Sequence, residues 1–311
     1  MNKNVYIIGV SGGADSMCLL HKMMQKIPYK ARNDGQGKII VAHLNHGLRE
    51  AADSDEKFVG DFASENQVLF VSRKENVEKY ASENKVSIET AGRILRYKFF
   101  ADIAQDYEGA TVLTAHNKND SVESFMMHLL RGAALSGLCG IREKCKAEVL
   151  DGREIMLERP LVGMSRAEIE EYNHENDVPY IYDESNSDLK YERNRVRHEI
   201  MPFLAENGGL DKISDAILRL QVDNDYLEQC VYIPTNADDT IDVYRFNSLH
   251  LAIKRRIIHR LAKRFTNETI SEERIDEVIG AIAKNHGGKV IQLPGGVRVK
   301  IDKGKVDINK K

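Results

Sequence analysis

A junction near the start of the chain constrains its fold more than any other feature. The apolar run Val5-Tyr6-Ile7-Ile8-Gly9-Val10 has strand length, and it passes directly into Ser11-Gly12-Gly13-Ala14-Asp15-Ser16. A helical pattern begins there, with Met17, Leu19, Leu20, Met23 and Met24 forming an apolar face. Paired glycines after a buried strand let the backbone turn tightly and come close to a ligand. The amides of such a loop, and of the new helix behind it, converge on one spot, and the helix dipole favours an anion there. Ser11 and Ser16 add hydroxyl donors. Asp15 is out of place in a pure anion site and suits a metal ion that travels with phosphates. The segment Ser11, Gly12, Gly13, Ala14, Asp15 and Ser16 is therefore the expected phosphate-binding loop, with Asp15 its metal residue. A bare Gly-Gly would read as an ordinary turn; this hexapeptide between strand and helix does not.

The rest of the chain extends the pattern. Further strands are predicted at Lys38–His43, Val68–Ser72, Ala110–Ala115 and Ile155–Leu161. Helices are predicted at Asp53–Asn66, Ser87–Tyr107, Asp120–Arg131, Ser165–Asn176 and Arg193–Leu204, with Ser165 and Glu168 spaced as a capping box. Strands alternating with helices predict an α/β fold with a doubly wound parallel sheet. Ligands in such folds bind at the carboxyl ends of the strands. Asn207-Gly208-Gly209 is a break signal, so the expected domains are 1–207 and 208–311. The second reads as a small α+β domain, with helices at 211–231, 248–265 and 271–284 and short strands near 289–293, 297–301 and 305–308.

Composition excludes several classes of function. The chain of 311 residues carries no apolar run approaching the ~18 residues of a membrane-spanning helix. Its start reads as a strand and not as a signal peptide. The 4 cysteines, Cys18, Cys139, Cys145 and Cys230, include no Cys-x-x-Cys pair, which leaves a metal knuckle or iron–sulfur site without support. Free thiols suit a reducing, cytoplasmic setting. A net charge of −3 argues mildly against non-specific nucleic-acid binding, although local patches matter more than totals.

Ser-Gly-Gly-x-Asp-Ser resembles the PP-loop, which binds the pyrophosphate part of ATP in enzymes that release AMP and pyrophosphate. Other segments resemble those of the tRNA(Ile)-lysidine synthetases. They are His43-Leu44-Asn45-His46-Gly47-Leu48-Arg49, Glu89-Thr90-Ala91-Gly92-Arg93-Ile94-Leu95-Arg96-Tyr97, and Thr114-Ala115-His116 with Asp120 and Glu123. Arg131-Gly132, Arg159-Pro160-Leu161, the run Asp183, Ser185, Asn186, Asp188, and then Arg193, Asn194 and Arg197 continue the series in order. The resemblance runs from residue 5 to 204 and weakens beyond. Asn119, Ser121 and Ser124 depart from the family's usual Asp, Gln and Thr, and Gly92 replaces a helical alanine. Longer members carry a second C-terminal domain, which a chain of this length is expected to lack.

The resemblance implies an ATP- and Mg2+-dependent ligase that attaches L-lysine to C2 of the wobble cytidine of an isoleucine tRNA with a CAU anticodon. It implies roles for Asp15, Arg93, Asp120 and Glu123 in catalysis. Asp120 and Glu123, three apart on a predicted helix, face one way. They are candidates for holding the lysine ammonium or, equally, a magnesium ion. Arg93 and Arg96 are candidates for substrate phosphates. Arg131, Arg193 and Arg197 are candidates for the lysine carboxylate or the tRNA backbone, because a guanidinium fork fits either. His43, His46 and His116 fall at strand ends, where a nucleotide contact or ordinary structural hydrogen bonding is open to them. Two basic stretches are candidates for RNA: Lys190 to His198, and the helix face of Arg256, Arg260, Lys263 and Arg264. The resemblance also allows a homodimer. The alternative readings are another PP-loop enzyme, acting in tRNA thiolation or small-molecule amidation, and an inert RNA-binding module.

Overall fold

The structure, a computed structural model, describes residues 4–35, 37–47, 52–149, 152–182, 192–236, 240–266, 268 and 270–310. β1 (Val5–Gly9) leads into α1 (Ala14–Lys26), and a short α2 (Tyr29–Asn33) precedes β2 (Lys38–Asn45). α3 (Ala52–Glu65) precedes β3 (Leu69–Lys74), and α4 (Val77–Asn84) and α5 (Ile88–Gln105) lead to β4 (Thr111–Leu113). α6 (Lys118–Leu130) and α7 (Leu135–Leu138) come before β5 (Lys144–Glu148) and β6 (Glu154–Glu158). Then follow α8 (Arg166–Glu175), α9 (Glu192–Arg195), α10 (Met201–Glu206) and α11 (Gly209–Gln229).

The strands form a 6-stranded sheet in the order β3-β2-β1-β4-β6-β5. All neighbours are parallel except β5, which pairs antiparallel with β6 at the edge. The α/β fold expected from the alternation is thus present. β1 pairs through Ile7 with Ile40 of β2 and with Val112 of β4. Its side chains alternate between two apolar layers. Ile7 joins Leu95, Phe99 and Phe100 of α5 on one face, and Ile8 joins Met17 and Leu20 of α1 and Val59 of α3 on the other. Burial on both faces explains why β1 and β2 read as continuous apolar runs.

The chain lays down β2 and β3 on one side of β1, then returns with β4 on the other side. The order therefore reverses at β1, and the crevice beyond the carboxyl ends of β1 and β4 is the switch point where open α/β sheets bind ligands. Helix starts are pinned around it. Asn117 caps α6 in a reciprocal box with Asp120, and Ser165 caps α8 in a box with Glu168. The helix predicted at Arg193–Leu204 is interrupted: Val196–Ile200 form a π-helical turn between α9 and α10, with Met201 N donating to Val196 O.

The chain divides into two compact units, Met1–Leu218 and Arg219–Lys311, the division falling inside α11. The sequence break at Asn207–Gly209 runs into the first residue of that helix. In the second unit, β7 (Ile241–Asp242), α12 (Val243–Ser248), α13 (Leu251–Lys263), α14 (Glu272–Lys284), β8 (Lys289–Gln292), β9 (Val297–Asp302) and β10 (Lys305–Lys310) form a small α+β fold. Its 4-stranded antiparallel sheet has the order β7-β10-β9-β8. Val299 and Ile301 pack there with Ile257, Ile258, Val278 and Ile282 of the helices.

Gly9 ends β1 where α5 crosses it, and a Cβ at that position would lie 2.6 Å from Phe100 Cζ. Phe100 is itself fully buried, so it has nowhere to retreat. Gly9→Ala should destabilise the first unit by about 1–3 kcal/mol through overpacking. Chemical denaturation should show this, and Phe100→Leu in the same chain should return part of the loss.

Candidate active site

The loop after β1 is shaped by its glycines. Gly12 has φ +91°, a conformation that disfavours any side chain, and a Cβ there would come within 2.9 Å of Ile181 Cδ1. Its carbonyl accepts from Ile181 N at 2.9 Å, which ties the loop to the segment after α8. Gly13 is the N-cap of α1 and offers no side-chain acceptor, so the first-turn amides are not capped internally. Ser16 is buried and works within the loop: its Oγ donates to Gly13 O at 2.9 Å and accepts from Ser11 N at 3.2 Å. Ser11 is exposed, with its Oγ 3.3 Å from Ser16 Oγ. The loop thus presents backbone amides and the Ser11 hydroxyl outward, while Ser16 braces it from behind.

Asp15 stands on the first turn of α1 and reaches across to the end of β4. Its Oδ1 accepts from Asn117 Nδ2 at 3.2 Å and its Oδ2 from Arg166 Nη1 at 2.7 Å. Burial raises its proton affinity above the usual carboxylate value; Arg166 opposes this, and the nearby charge of Asp120 adds to it. Arg166 is oriented in turn by Glu170 at 2.7 Å, and its backbone N donates to Asn119 Oδ1 at 3.0 Å.

One turn further on, α6 carries a charge cluster. Asp120 Oδ2 accepts from Asn117 N at 3.0 Å, and its Oδ1 from Arg193 Nη2 at 2.8 Å. Glu123 is 2% exposed, a burial that an ionised carboxylate tolerates only with partners. Arg193 Nε donates to its Oε2 at 3.0 Å, and Arg197 donates to Oε1 at 2.8 Å and to Oε2 at 3.0 Å. The two arginine side chains remain about a third exposed, at 36% and 35%. The helical turn that carries Arg197 is the π-helical one.

A family description of the PP-loop domain matches residues 1–204. The chain belongs to the PP-loop family. It is 34% identical over 307 residues to a tRNA(Ile)-lysidine synthase of Clostridium acetobutylicum, covering 94% of this chain and 63% of that one. It is 35% identical over 314 residues to a tRNA(Ile)-lysidine synthase of Clostridium tetani, covering 97% and 64%. The chain thus spans less than two thirds of the length of these curated relatives. Among solved structures, the U34-tRNA thiolase NcsA of Methanococcus maripaludis, described with its [4Fe-4S] cluster, has a TM-score of 0.53 at 16% identity, over 70% of this chain and 72% of that one. That likeness is one of fold.

Within the PP-loop frame, the candidates drawn from the sequence distribute unevenly. Asp15, Asp120, Glu123, Arg193 and Arg197 come together as one network. Arg93 lies on α5 with its guanidinium 4.8 Å from the Tyr97 ring, and it lines a cavity of about 430 Å³ with His116 and Arg193. Arg131 is exposed at the C-terminal end of α6, about 16 Å along the helix from Asp120 at 1.5 Å per residue. It is not part of that network. Leu48, Arg49, Asp183, Ser185, Asn186, Asp188 and Lys190 lie outside the described residues. Among the described residues, no group of three or more His, Cys, Asp or Glu side chains is placed to hold a metal ion, and no helix is long and apolar enough to cross a membrane.

Two contributors escaped sequence reasoning. Asn117 and Arg166 both bind Asp15, yet Asn117 falls before the helix predicted from Asp120 and Arg166 inside the start of the one predicted from Ser165. The N-cap position of Asn117, three residues before Asp120, is the signal that could have found it. The departures from the family pattern are accommodated: Asn119 accepts from Arg166 N, Ser121 Oγ accepts from Ile141 N at 3.1 Å, and a methyl at Gly92 would sit 3.6 Å from the His46 ring.

The basic helix of the second unit is α13. Arg256 donates to Glu228 at 3.0 Å and to Asn224 at 3.1 Å, and Arg260 also pairs with Glu228. Lys263 and Arg264 are exposed at the end of the helix.

The strand-end histidines are held neutral. His43 donates from Nδ1 to Val10 O at 2.9 Å, and burial lowers its basicity. His46 is lowered to about 4 by burial and then by Arg96 and His43. His116, with Nδ1 2.9 Å from Thr114 Oγ1, is lowered to about 3 by burial first and then by Arg159, Arg93, Arg96 and Arg193. An unfolded His116 takes up its proton as pH falls through about 6.5, whereas the folded one resists until about 3. The unfolded state binds more protons across that window, so stability should fall as pH drops from about 6.5 toward 3. His116→Asn should flatten this dependence in urea denaturation measured between pH 7 and pH 4. An unchanged slope would mean the imidazole is not held neutral.

Proposed function

We propose that the chain is a cytoplasmic enzyme that uses ATP to ligate lysine to C2 of the wobble cytidine of an isoleucine tRNA with a CAU anticodon, giving lysidine, AMP and pyrophosphate. The observation that carries this reading is the meeting, at the switch point of the sheet, of an anion-cradling loop with a zwitterionic cluster. The similarity to tRNA(Ile)-lysidine synthases along nearly the whole chain supports it.

The chemistry has two parts. The C2 oxygen of cytosine is a poor leaving group, and transfer of AMP onto it makes it a good one. Negative charge builds on the departing pyrophosphate during that transfer. The uncapped amides at the start of α1 and the positive end of that helix are fixed dipoles aimed where that charge develops, while the Ser11 amide is spent on Ser16 Oγ. Mg2+ fits beside Asp15 and Asp120: the two carboxylates repel, Asp15 Oδ1 keeps one lone pair beyond the one that accepts from Asn117, and magnesium is commonly held by one or two carboxylates together with phosphates. Bound there, it would supply charge neutralisation for the phosphates.

The second part is attack by the lysine amine, which is protonated at neutral pH with a pKa of ~10.4. Asp120 and Glu123 alternate with Arg193 and Arg197, a pattern that matches an amino-acid zwitterion. The partly exposed arginine side chains suit its carboxylate, and the edge of Asp120 suits an ammonium. Glu123, with both oxygens occupied, positions the two arginines.

The test is incubation with ATP, magnesium and labelled lysine, offering an isoleucine tRNA transcript with a CAU anticodon and a methionine tRNA with the same anticodon as control. Stable, ATP-dependent label on the isoleucine tRNA alone is expected. ATP cleavage to AMP only with some other acceptor would move the chain to another branch of the PP-loop family, and no cleavage with any acceptor would make it an inert RNA-binding module. Asp15→Asn should lower turnover by on the order of 10²-fold or more while leaving the thermal midpoint near that of the wild type.

For the RNA path, Lys263 and Arg264 are better probes than Arg256 and Arg260, whose charges already serve Glu228. The double variant Lys263→Glu, Arg264→Glu should weaken tRNA binding and lower the log–log salt slope by about 1.5. Unaltered affinity and slope would place the RNA elsewhere.

A further inference from the structure

Arg159 follows β6 and is 7% exposed. Its Nη1 donates to Arg142 O at 2.7 Å and lies 3.4 Å from Cys145 Sγ, while its Nε is buried with no partner. No carboxylate among the described residues pairs with it, in contrast to Arg193 and Arg197. A buried guanidinium without a counter-ion is a costly arrangement for a protein to keep. Arg159 lines the cavity of about 430 Å³ together with Arg93, Arg142, Arg193 and His116, against which the acidic residue of the lining is Glu89. The positive potential there has a second sign: the charges of Arg159, Arg93, Arg96 and Arg193 all act, after burial, to keep a proton off His116.

We propose that this cavity is an oxyanion subsite of the reaction centre, in which Arg159 closes its guanidinium on a substrate carboxylate or phosphodiester. The planar fork and its unused donors fit a two-oxygen anion better than a spherical ion. The assignment of the anion to a reactant rests on the ligase reading above. Two sources share the chemistry: the carboxylate of the amino acid, which Arg159 would hold jointly with Arg193 of the same cavity, and a phosphodiester beside the target nucleotide. Neutral His116 lies in the same cavity and adds a hydrogen-bonding group without adding charge.

The experiment measures binding of three probes to the wild-type chain and to Arg159→Gln. The probes are L-lysine, 1,5-diaminopentane (lysine without its carboxylate), and an anticodon stem-loop RNA with a CAU loop. If the carboxylate occupies the subsite, the wild type should prefer lysine to the diamine by about 10²-fold or more, and the variant should lose that preference with RNA affinity unchanged. If a phosphodiester occupies it, RNA affinity should fall about tenfold or more and the salt slope should lessen by about 0.7, with the lysine preference kept. A folded variant that binds all three probes as the wild type does overturns the subsite. If Arg159→Gln does not fold, Arg159→Lys, which keeps one donor for Arg142 O but loses the fork, is read in the same way. Should the wild type bind neither lysine nor RNA, the ligase reading falls, and the subsite is tested alone with inorganic phosphate while pyrophosphate saturates the Ser11–Ser16 loop. A rise in thermal midpoint in the wild type but not in Arg159→Gln sustains it; an equal response in both removes it.

Discussion

Burial of β1 on both faces, between β2 and β4, governs the arrangement of everything polar in the first unit. A strand clad by Phe99 and Phe100 on one side and Met17 and Leu20 on the other has no room for charge along its length. Polar groups can gather only where it ends. The reversal of strand order at β1 then opens a crevice at that end, and α1 and α6 begin there with their amide-rich termini. The glycine loop after β1, Asp15 and Asp120 are close because two adjacent parallel strands stop at the same level.

Within that crevice, ionised groups are matched nearly one to one. Asp15 faces Arg166, Asp120 faces Arg193, and Glu123 faces both Arg193 and Arg197. Such pairs gain little stability over an apolar core, since desolvation offsets most of the attraction. What they provide is a fixed orientation of the charged side chains in the crevice. Arg159 and Arg93 stand outside the matching, with no carboxylate partner among the described residues, and His116 in the same cavity is held neutral by burial first and then by the charges of Arg159, Arg93, Arg96 and Arg193. Unpaired positive charge and a neutral imidazole in one cavity are two aspects of the same local field.

The sheet was legible because its central strands are apolar throughout, and the tight loop after β1 because Gly12 and Gly13 follow that strand directly. β5 was not legible: Lys144-Cys145-Lys146-Ala147-Glu148 is an edge strand whose charged residues face solvent, and nothing in its apolar content marks it. α4 and α2 are too short to give a helical period. The site divides in the same way. Asp120 and Glu123 could be placed on one face by spacing alone, but their partners lie about 70 residues downstream at Arg193 and Arg197, and no local rule joins them. Arg256 and Arg260 read as a free basic face because Glu228, which neutralises them, belongs to a different helix.

The π-helical turn at Val196–Ile200 gives the segment around it a particular sensitivity. An α-helix advances by about 100° per residue, so removing a single residue from the turn would restore a regular helix and rotate everything upstream by that angle relative to α10. Arg193 would swing away from Glu123 while Met201 stayed packed where it is. The phase of this helix, set by one surplus residue, is thus as much a part of the ion cluster as the side chains themselves, and a deletion that left every charged residue in place would still dismantle it.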